Sequence, residues 1–181
     1  MKRRPYLFIA FIAVVLLVCF INTIPIRGNP FNVKKLSAFI LGVEYLGIDG
    51  VLIQSNNNNC GPAALKMVLD DFGISSSLDE LELIIPLNQQ GASMFSLLTA
   101  AKTKGLPLEG WKLTGGDLYN IRLPALLFVN GNHFVVADSV RDGTIFLRDP
   151  SLGRVRVSLI KFKTMWNGES LILTQGKNTT D

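Results

Sequence analysis

The sequence predicts an α+β domain in which helices come first and an antiparallel sheet follows. Apolar residues recur at helical spacing between residues 60 and 104, and each run ends at a glycine or before a proline. From residue 108 onward the pattern changes to short strand-like runs, and Asp142 and Gly143 between two of them are typical of a hairpin turn. This order of elements favours a helical layer packed on a sheet.

The first predicted helix begins at Cys60, and its sequence accounts for both of its ends. Pro62 suits the first turn because its missing N–H would have no partner there. Apolar residues follow at the i, i+3, i+4 and i+7 positions, and Gly73 ends the run. Burial of this stripe fixes Cys60 at the helix N-terminus. Two further helices are predicted, at Leu78 to Ile85 before Pro86 and at Met94 to Lys104 before Gly105.

Short strands are predicted on both sides of these helices. The expected strands are residues 51–54, 108–113, 125–129, 133–140, 144–147, 154–157 and 170–173. Upstream of them, apolar residues at helical spacing predict an amphipathic helix from Val33 to Leu46, which lies either on a membrane or on the domain. We expect residues 28–50 to form a linker with this helix, residues 51–174 the domain, and residues 175–181 a disordered tail.

Residues 1–27 are predicted to be a membrane anchor. Sixteen residues from Tyr6 to Ile21 carry no polar group except one phenol, and 21 residues from Tyr6 to Ile26 are uncharged. A helix of that length measures roughly 31 Å, enough to cross a bilayer core. A cleaved signal peptide is the alternative, but no small-x-small cleavage site follows the apolar run. An uncleaved single span is therefore the favoured interpretation.

Charges around the predicted span give only a small orientation bias. Basic residues precede the span at positions 2–4 and follow it at Arg27, Lys34 and Lys35. We expect an inside N-terminus and a domain on the extracytoplasmic side. Cys60 is the only cysteine outside the span, so a disulfide within the domain is excluded.

The charge balance excludes a nucleic-acid binder. The formal net charge is +4, and Lys2, Arg3, Arg4 and Arg27 account for all of it. From residue 28 onward, 14 basic residues balance 14 acidic ones. A basic surface of the kind that nucleic-acid binders carry is therefore not predicted.

Cys60 is the candidate nucleophile of an active site. A helix N-terminus lowers a thiol pKa because its unpaired N–H groups favour negative charge. The alternative is that Cys60 is a small buried hydrophobic residue of the core, as free cysteines often are. The only histidine, His133, opens a predicted strand and could equally be structural, but paired with Cys60 it is a candidate base.

Asp149 and Gln54 complete the candidate site. Asp149 would hold the His133 imidazole by accepting its second N–H, although an Asp-Pro step is also a common turn. The Gln54 amide and the Cys60 backbone N–H would donate to the oxyanion formed when the thiolate attacks an amide. The other acids considered are expected to be ordinary surface charges: Asp70, Asp71, Asp138 and Glu169.

The ordered motifs resemble the bacteriocin-processing cysteine peptidases, papain-like domains that cut peptides after a double-glycine leader. The resemblance covers roughly Val51 to Leu173. Its motifs are Gln54, Cys60-Gly61-Pro62-Ala63, Gly91-Ala92-Ser93, Gly131-x-His133-Phe-Val-Val, Asp149-Pro150-x-x-Gly153 and Phe162-x-x-x-Trp166-x-Gly168. It implies a papain-like fold with a helical lobe and a sheet lobe, and it matches Cys60, His133, Asp149 and Gln54 to the nucleophile, base, third member and oxyanion donor.

The chain also departs from the exporters of that family. They carry six membrane spans and a nucleotide-binding domain after the peptidase, whereas this sequence has one predicted span and no G-x-x-x-x-G-K-[ST] motif. We therefore expect no ATP binding, a peptide or protein substrate, and a separate transporter as an open possibility. Asn59 stands where the family often has aspartate.

Three functions remain open from the sequence. The favoured one is a membrane-anchored cysteine peptidase, with possible cleavage at small-residue, double-glycine-like sites. A papain-like acyltransferase or amidase would use the same thiolate, and a non-catalytic module would keep the groove for peptide binding. No cofactor is expected, and a single histidine with a single cysteine outside the span cannot form an ordinary zinc site.

Overall fold

The computed structural model describes residues 30–174, and the described residues from Val33 onward belong to one compact unit. Five α-helices lie within the described part of the chain, together with a 3₁₀ turn at Asp117–Tyr119. The helices are α1 (Pro30–Leu41), α2 (Cys60–Asp71), α3 (Leu78–Ile84), α4 (Met94–Thr103) and α5 (Leu159–Phe162).

Seven strands of the described chain form one antiparallel sheet. They are β1 (Glu44–Gly47), β2 (Leu108–Lys112), β3 (Ala125–Val129), β4 (His133–Arg141), β5 (Thr144–Asp149), β6 (Gly153–Ser158) and β7 (Trp166–Leu173). Their spatial order is β1-β6-β5-β4-β3-β7-β2. Strands β3 to β6 follow one another as antiparallel neighbours, which places the start of β4 and the end of β5 close together.

Two apolar clusters cover the two faces of this sheet. Because side chains alternate along a strand, Leu126 and Val136 face one cluster while Leu127 and Val135 face the other. The first cluster includes the buried faces of α2, α3 and α4. The second includes Phe162 and residues of the outer strands. Burial on both faces explains why the central strands are almost continuously apolar.

The α+β prediction and its element order are confirmed. Helices α2 to α4 begin where predicted and end within one residue of the predicted position, and β3 matches its predicted bounds. Strand β7 begins four residues earlier than expected, at Trp166.

Two predicted elements were wrong. The helix expected from Val33 to Leu46 ends at Leu41, because Gly42 has φ +70° and Glu44–Gly47 pairs with β6 instead. Residues 51–54 do not form a strand. Their backbone N–H groups bond to a turn carbonyl, to the sulfur of Met67 and to the Pro150 carbonyl, which leaves no regular ladder.

The predicted anchor, residues 1–27, and the predicted disordered tail, residues 175–181, lie outside the described residues. Within residues 30–174, none of the helices has the length and apolar character needed to cross a membrane.

Asp138 is not the ordinary surface charge that was expected, and Asp71 lies at the surface but pairs with a buried cation. The buried guanidinium of Arg148 on β5 pairs with Asp71 at the end of α2, and its Nε donates to Asp138 on β4 at 2.9 Å. Arg154 also donates to Asp138 at 3.3 Å. Burial raises the pKa of Asp138 even with these two cations beside it. The other two acids form pairs with lysines nearer the surface.

Replacing Arg148 with alanine is expected to lower the free energy of unfolding by about 3 kcal/mol, because the Asp138 carboxylate would lose its main partner inside the protein. Urea unfolding followed by circular dichroism measures this change. Arg156→Ala is the control, since Arg156 pairs with Glu44 at the exposed edge and should cost at most about 1 kcal/mol. Equal losses of unfolding free energy in the two variants would contradict the view that Arg148 stabilises the fold by joining α2 to β4.

Candidate active site

Cys60 is the first residue of α2, and the residue before it is held by side-chain contacts. Asn59 is completely buried. Its amide nitrogen donates to Glu82 on α3 at 2.6 Å and to Ser55 at 3.0 Å, and its amide oxygen accepts from the Asn56 N–H at 3.2 Å. An aspartate here would face Glu82 with a second carboxylate, whereas the amide donates a hydrogen bond. Asn59 therefore fixes the loop that leads into Cys60.

Gly61 is required by close packing beside the cysteine. A Cβ at this position would lie 2.9 Å from the Cβ of Ala92 and 3.3 Å from the Leu97 side chain. The start of α2 therefore sits directly against the segment that leads into α4. This contact explains why glycine follows Cys60 and why a small residue occupies position 92.

The Cys60 thiol lies against the start of strand β4. Only 3% of Cys60 is exposed, and burial alone would raise the pKa of its thiol. The hydrogen bond with the His133 ring, the Phe134 backbone N–H, the imidazolium charge and the Gly61 backbone N–H outweigh burial and hold that pKa below its ordinary value. This environment favours the thiolate.

His133 bridges the thiol and a carboxylate. Its Nε2 lies 2.8 Å from Oδ1 of Asp149, which leaves Nδ1 for the bond with Cys60. Burial would lower the His133 pKa, but the hydrogen bonds and charges of Asp149 and Cys60 raise it to about 10. The ring is therefore protonated at neutral pH. The lowered pKa of Cys60 and the raised pKa of His133 together describe one thiolate–imidazolium pair.

Asp149 is both a turn residue and the partner of His133. Burial would raise its pKa, yet the imidazolium and two donors of Ser151 hold that pKa below its usual range. Its Oδ1 accepts from the Ser151 backbone N–H at 2.7 Å and from the Ser151 hydroxyl at 2.6 Å. The turn thus orients the carboxylate towards the ring, so the two interpretations of the Asp-Pro step are compatible.

Gln54 lies beside the same turn. Its backbone N–H donates to the carbonyl of Pro150 at 2.8 Å, and its Nε2 donates to the Asn56 carbonyl at 2.8 Å. Since an amide nitrogen carries two N–H groups, one remains for another acceptor. Its Oε1 is buried without a hydrogen-bond partner among the described residues. The structure therefore joins Gln54 to Asp149 through the backbone rather than through a side-chain contact.

Three contributors to the site were missed by sequence reasoning. Ser151 could have been found, because an aspartate that starts a turn commonly accepts from the residue two positions later. The bond from the Phe134 N–H and the pairing of Asn59 with Glu82 depend on tertiary packing, and no local pattern in the sequence indicates them.

A buried thiolate paired with an imidazolium can attack a carbonyl carbon and later pass a proton to the departing group. The backbone N–H of Cys60, in the first turn of α2, has no helical partner and is available to an oxyanion. Among residues 30–174, no group of three or more histidine, cysteine or acidic side chains is arranged to hold a metal ion.

Comparison with known proteins gives a family match and informative relatives. The model of the Peptidase C39 family matches residues 50–178, more than half of the chain. An uncharacterized protein of Methanothermobacter marburgensis is 32% identical over 130 residues, which are 72% of this chain and 92% of that protein. The probable functional amyloid protease FapD of Pseudomonas aeruginosa is 28% identical over 127 residues, 64% of this chain and 56% of that protein.

A solved structure extends the similarity to three dimensions. It is a double-glycine motif protease from an AMS/PCAT transporter in complex with a leader peptide. It superimposes with a TM-score of 0.65 at 27% identity, covering 67% of this chain and 88% of that chain. These matches confirm the resemblance that the ordered motifs indicated.

Proposed function

Since this chain belongs to the Peptidase C39 family, a family of cysteine peptidases, we propose that it is a membrane-anchored enzyme that cleaves peptide bonds through Cys60. The observation that carries this proposal is the continuous contact from Cys60 through His133 to Asp149. A nucleophile, a base and a group that orients the base are the parts that covalent catalysis requires.

The reaction begins with the Cys60 thiolate attacking the carbonyl carbon of the scissile bond. The carbonyl oxygen becomes an oxyanion that accepts hydrogen bonds from the Cys60 backbone N–H and the free N–H of Gln54. Each such donor is typically worth about 3 kcal/mol of barrier. The C–N bond then breaks, and the departing amine takes the proton of the His133 imidazolium.

Hydrolysis of the thioester completes the cycle. His133, now neutral, accepts a proton from water, and the resulting hydroxide attacks the acyl carbon. The C–S bond breaks, the acid product leaves, and the thiolate–imidazolium pair is restored. Asp149 keeps the ring in place through both steps, since its Oδ1 remains fixed by Ser151.

We place the cleavage after small residues, as at a double-glycine site, on a peptide or protein delivered to an extracytoplasmic domain. The solved double-glycine motif protease supports the small-residue preference, and the apolar run of residues 6–26 supports the anchor. A separate transporter is a candidate partner, because that protease comes from one. The chain itself carries no ATP-binding motif.

Cleavage of paired peptides tests this function. The full chain in detergent is expected to cut a peptide with a Gly-Gly pair at least about 100-fold more efficiently, in kcat/KM, than the same peptide with Leu-Leu, since side chains would clash in a site shaped for glycine. Mass spectrometry of the products reports the cut position. Equal cleavage of both peptides would contradict the preference while leaving the peptidase intact.

The two alternatives give different products in the same assay. When an amine acceptor is added, an acyltransferase would transfer the acyl group to the amine and release an amide. At the same acceptor concentration a peptidase would still release the acid. A non-catalytic peptide-binding module would bind the peptide without forming a thioester. Trapping the acyl-enzyme with and without the acceptor therefore separates all three functions.

A further inference from the structure

Helix α1 presents an apolar face away from the domain. Phe39 and Ile40 are 80% and 74% exposed, and Val33 and Leu36 are also more than half exposed. At the helical spacing of 100° per residue, these four side chains share one face of the helix. We call Val33, Leu36, Phe39 and Ile40 the outer face of α1. In a water-soluble domain this face would be expected to be polar.

The opposite face of α1 contacts the domain. Ala38 is fully buried, and Lys34 is half-buried with its Nζ 3.2 Å from the Ser151 carbonyl oxygen. The Val43 N–H donates to the Ala38 carbonyl at 3.0 Å, which connects the helix end to β1. The helix is therefore held on the domain by its less apolar side, and its orientation leaves the outer face uncovered.

The sequence around α1 has the charge pattern and the closeness to the predicted span that are expected of a helix on a lipid surface. The predicted span ends at Ile26, so only three residues, at most about 10 Å of chain, separate it from the start of α1. No acidic residue occurs before Glu44, whereas Arg27 precedes the helix and the exposed Lys35 lies on it. An apolar face flanked by cations is the pattern of a helix that lies in the interface of an anionic bilayer.

We propose that the outer face of α1 inserts into the lipid headgroup region and docks the domain on the membrane. This proposal rests on the anchor of the proposed function but not on its chemistry. Lys34 contacts Ser151, which in turn donates to Asp149, and Leu41 lines a small cavity of about 40 Å³ together with His133. The docked helix would therefore keep the active site within about one helix diameter, roughly 10 Å, of the lipid surface. The substrate is then a peptide segment presented at that surface.

A depth measurement in liposomes tests the docking. Phe39→Cys is labelled with bimane in the full chain carrying Cys19→Ala and Cys60→Ala, and reconstituted in vesicles of phosphatidylcholine and phosphatidylglycerol. We expect a blue-shifted emission, protection from iodide, and quenching by a headgroup-proximal nitroxide lipid at least about twofold stronger than for the control. The control is Leu83→Cys, because Leu83 is similarly exposed, at 86%, but its helix α3 packs on the first apolar cluster, whereas Leu41 of α1 lies beside residues of the second.

Two outcomes would overturn the proposal. If iodide quenches the probe at position 39 as strongly as the probe at position 83, the outer face is in water. If position 39 is protected from iodide but not quenched by the lipid, a second copy or another protein covers it. Carbonate extraction of the same vesicles reports the anchor separately, so loss of the anchor is distinguishable from loss of docking.

Discussion

Cys60→Ala is expected to lower kcat for peptide cleavage by a factor on the order of 10⁶. The reason is that no other group of the site can form the acyl-enzyme, because His133 transfers protons and Asp149 orients the ring. Product formation from a Gly-Gly peptide, followed by mass spectrometry over long incubations, measures the residual rate.

The control for this variant is Cys19→Ala, which makes the same chemical change at the only other cysteine and should keep full activity. Circular dichroism checks the fold, since Cys60 belongs to the core cluster and its replacement is expected to cost about 1 kcal/mol. Undiminished cleavage by folded Cys60→Ala protein would remove Cys60 from the mechanism.

The helical layer could be predicted because its signals are local. The stops at Gly73, Pro86 and Gly105 each lie within a few residues of a helix end. Cys60 could be placed at a helix N-terminus for the same reason. The identity of the candidate site residues therefore followed from a start signal, a single histidine and an Asp-Pro turn.

What the sequence could not predict depends on distant partners. Glu44–Gly47 looks like the end of an amphipathic helix, but pairing with β6 across more than 100 residues makes it an edge strand. Residues 51–54 look like a strand, but their hydrogen bonds go to Met67 and Pro150. Arg148 likewise has no local signal that it joins α2 to β4.

The second large effect is the pH dependence of the thiolate–imidazolium pair. The pKa of Cys60 is lowered from the ordinary thiol value of 9.0, and that of His133 is raised from 6.5 to about 10. Cleavage should therefore rise as pH increases through the lowered thiol pKa. It should fall again as pH passes about 10, because the neutral ring can no longer protonate the departing amine.

Alkylation of the thiol separates the rise of cleavage at low pH from its fall at high pH. Iodoacetamide needs only the thiolate, so the labelling rate of Cys60 is expected to rise at the same low pH as cleavage and to stay high above pH 10, where cleavage falls. Mass spectrometry of the labelled peptide gives the rate at each pH. Parallel loss of labelling and cleavage at high pH would indicate unfolding rather than titration of the imidazolium.

His133→Ala should change both profiles. Without the ring, burial is opposed only by the backbone N–H groups of Phe134 and Gly61, so the pKa of Cys60 moves up. Labelling at pH 7 is expected to slow at least about tenfold, because each unit of pKa above the working pH removes a factor of ten in thiolate. Cleavage is expected to fall by about 10⁵-fold or more, since proton transfer to the leaving group is lost as well.

The matched control is Asn132→Ala, an exposed neighbour in the turn before β4, which should leave both profiles unchanged. If His133→Ala labels as fast as the unmodified chain at pH 7, the helix N-terminus alone sustains the thiolate. The role of His133 would then be confined to proton transfer, and only the alkaline limb of cleavage would disappear. Burial of Cys60, which is 3% exposed, by itself favours the neutral thiol. If His133→Ala shifts the labelling profile to higher pH and also abolishes cleavage, the ring must hold the proton that the sulfur has given up.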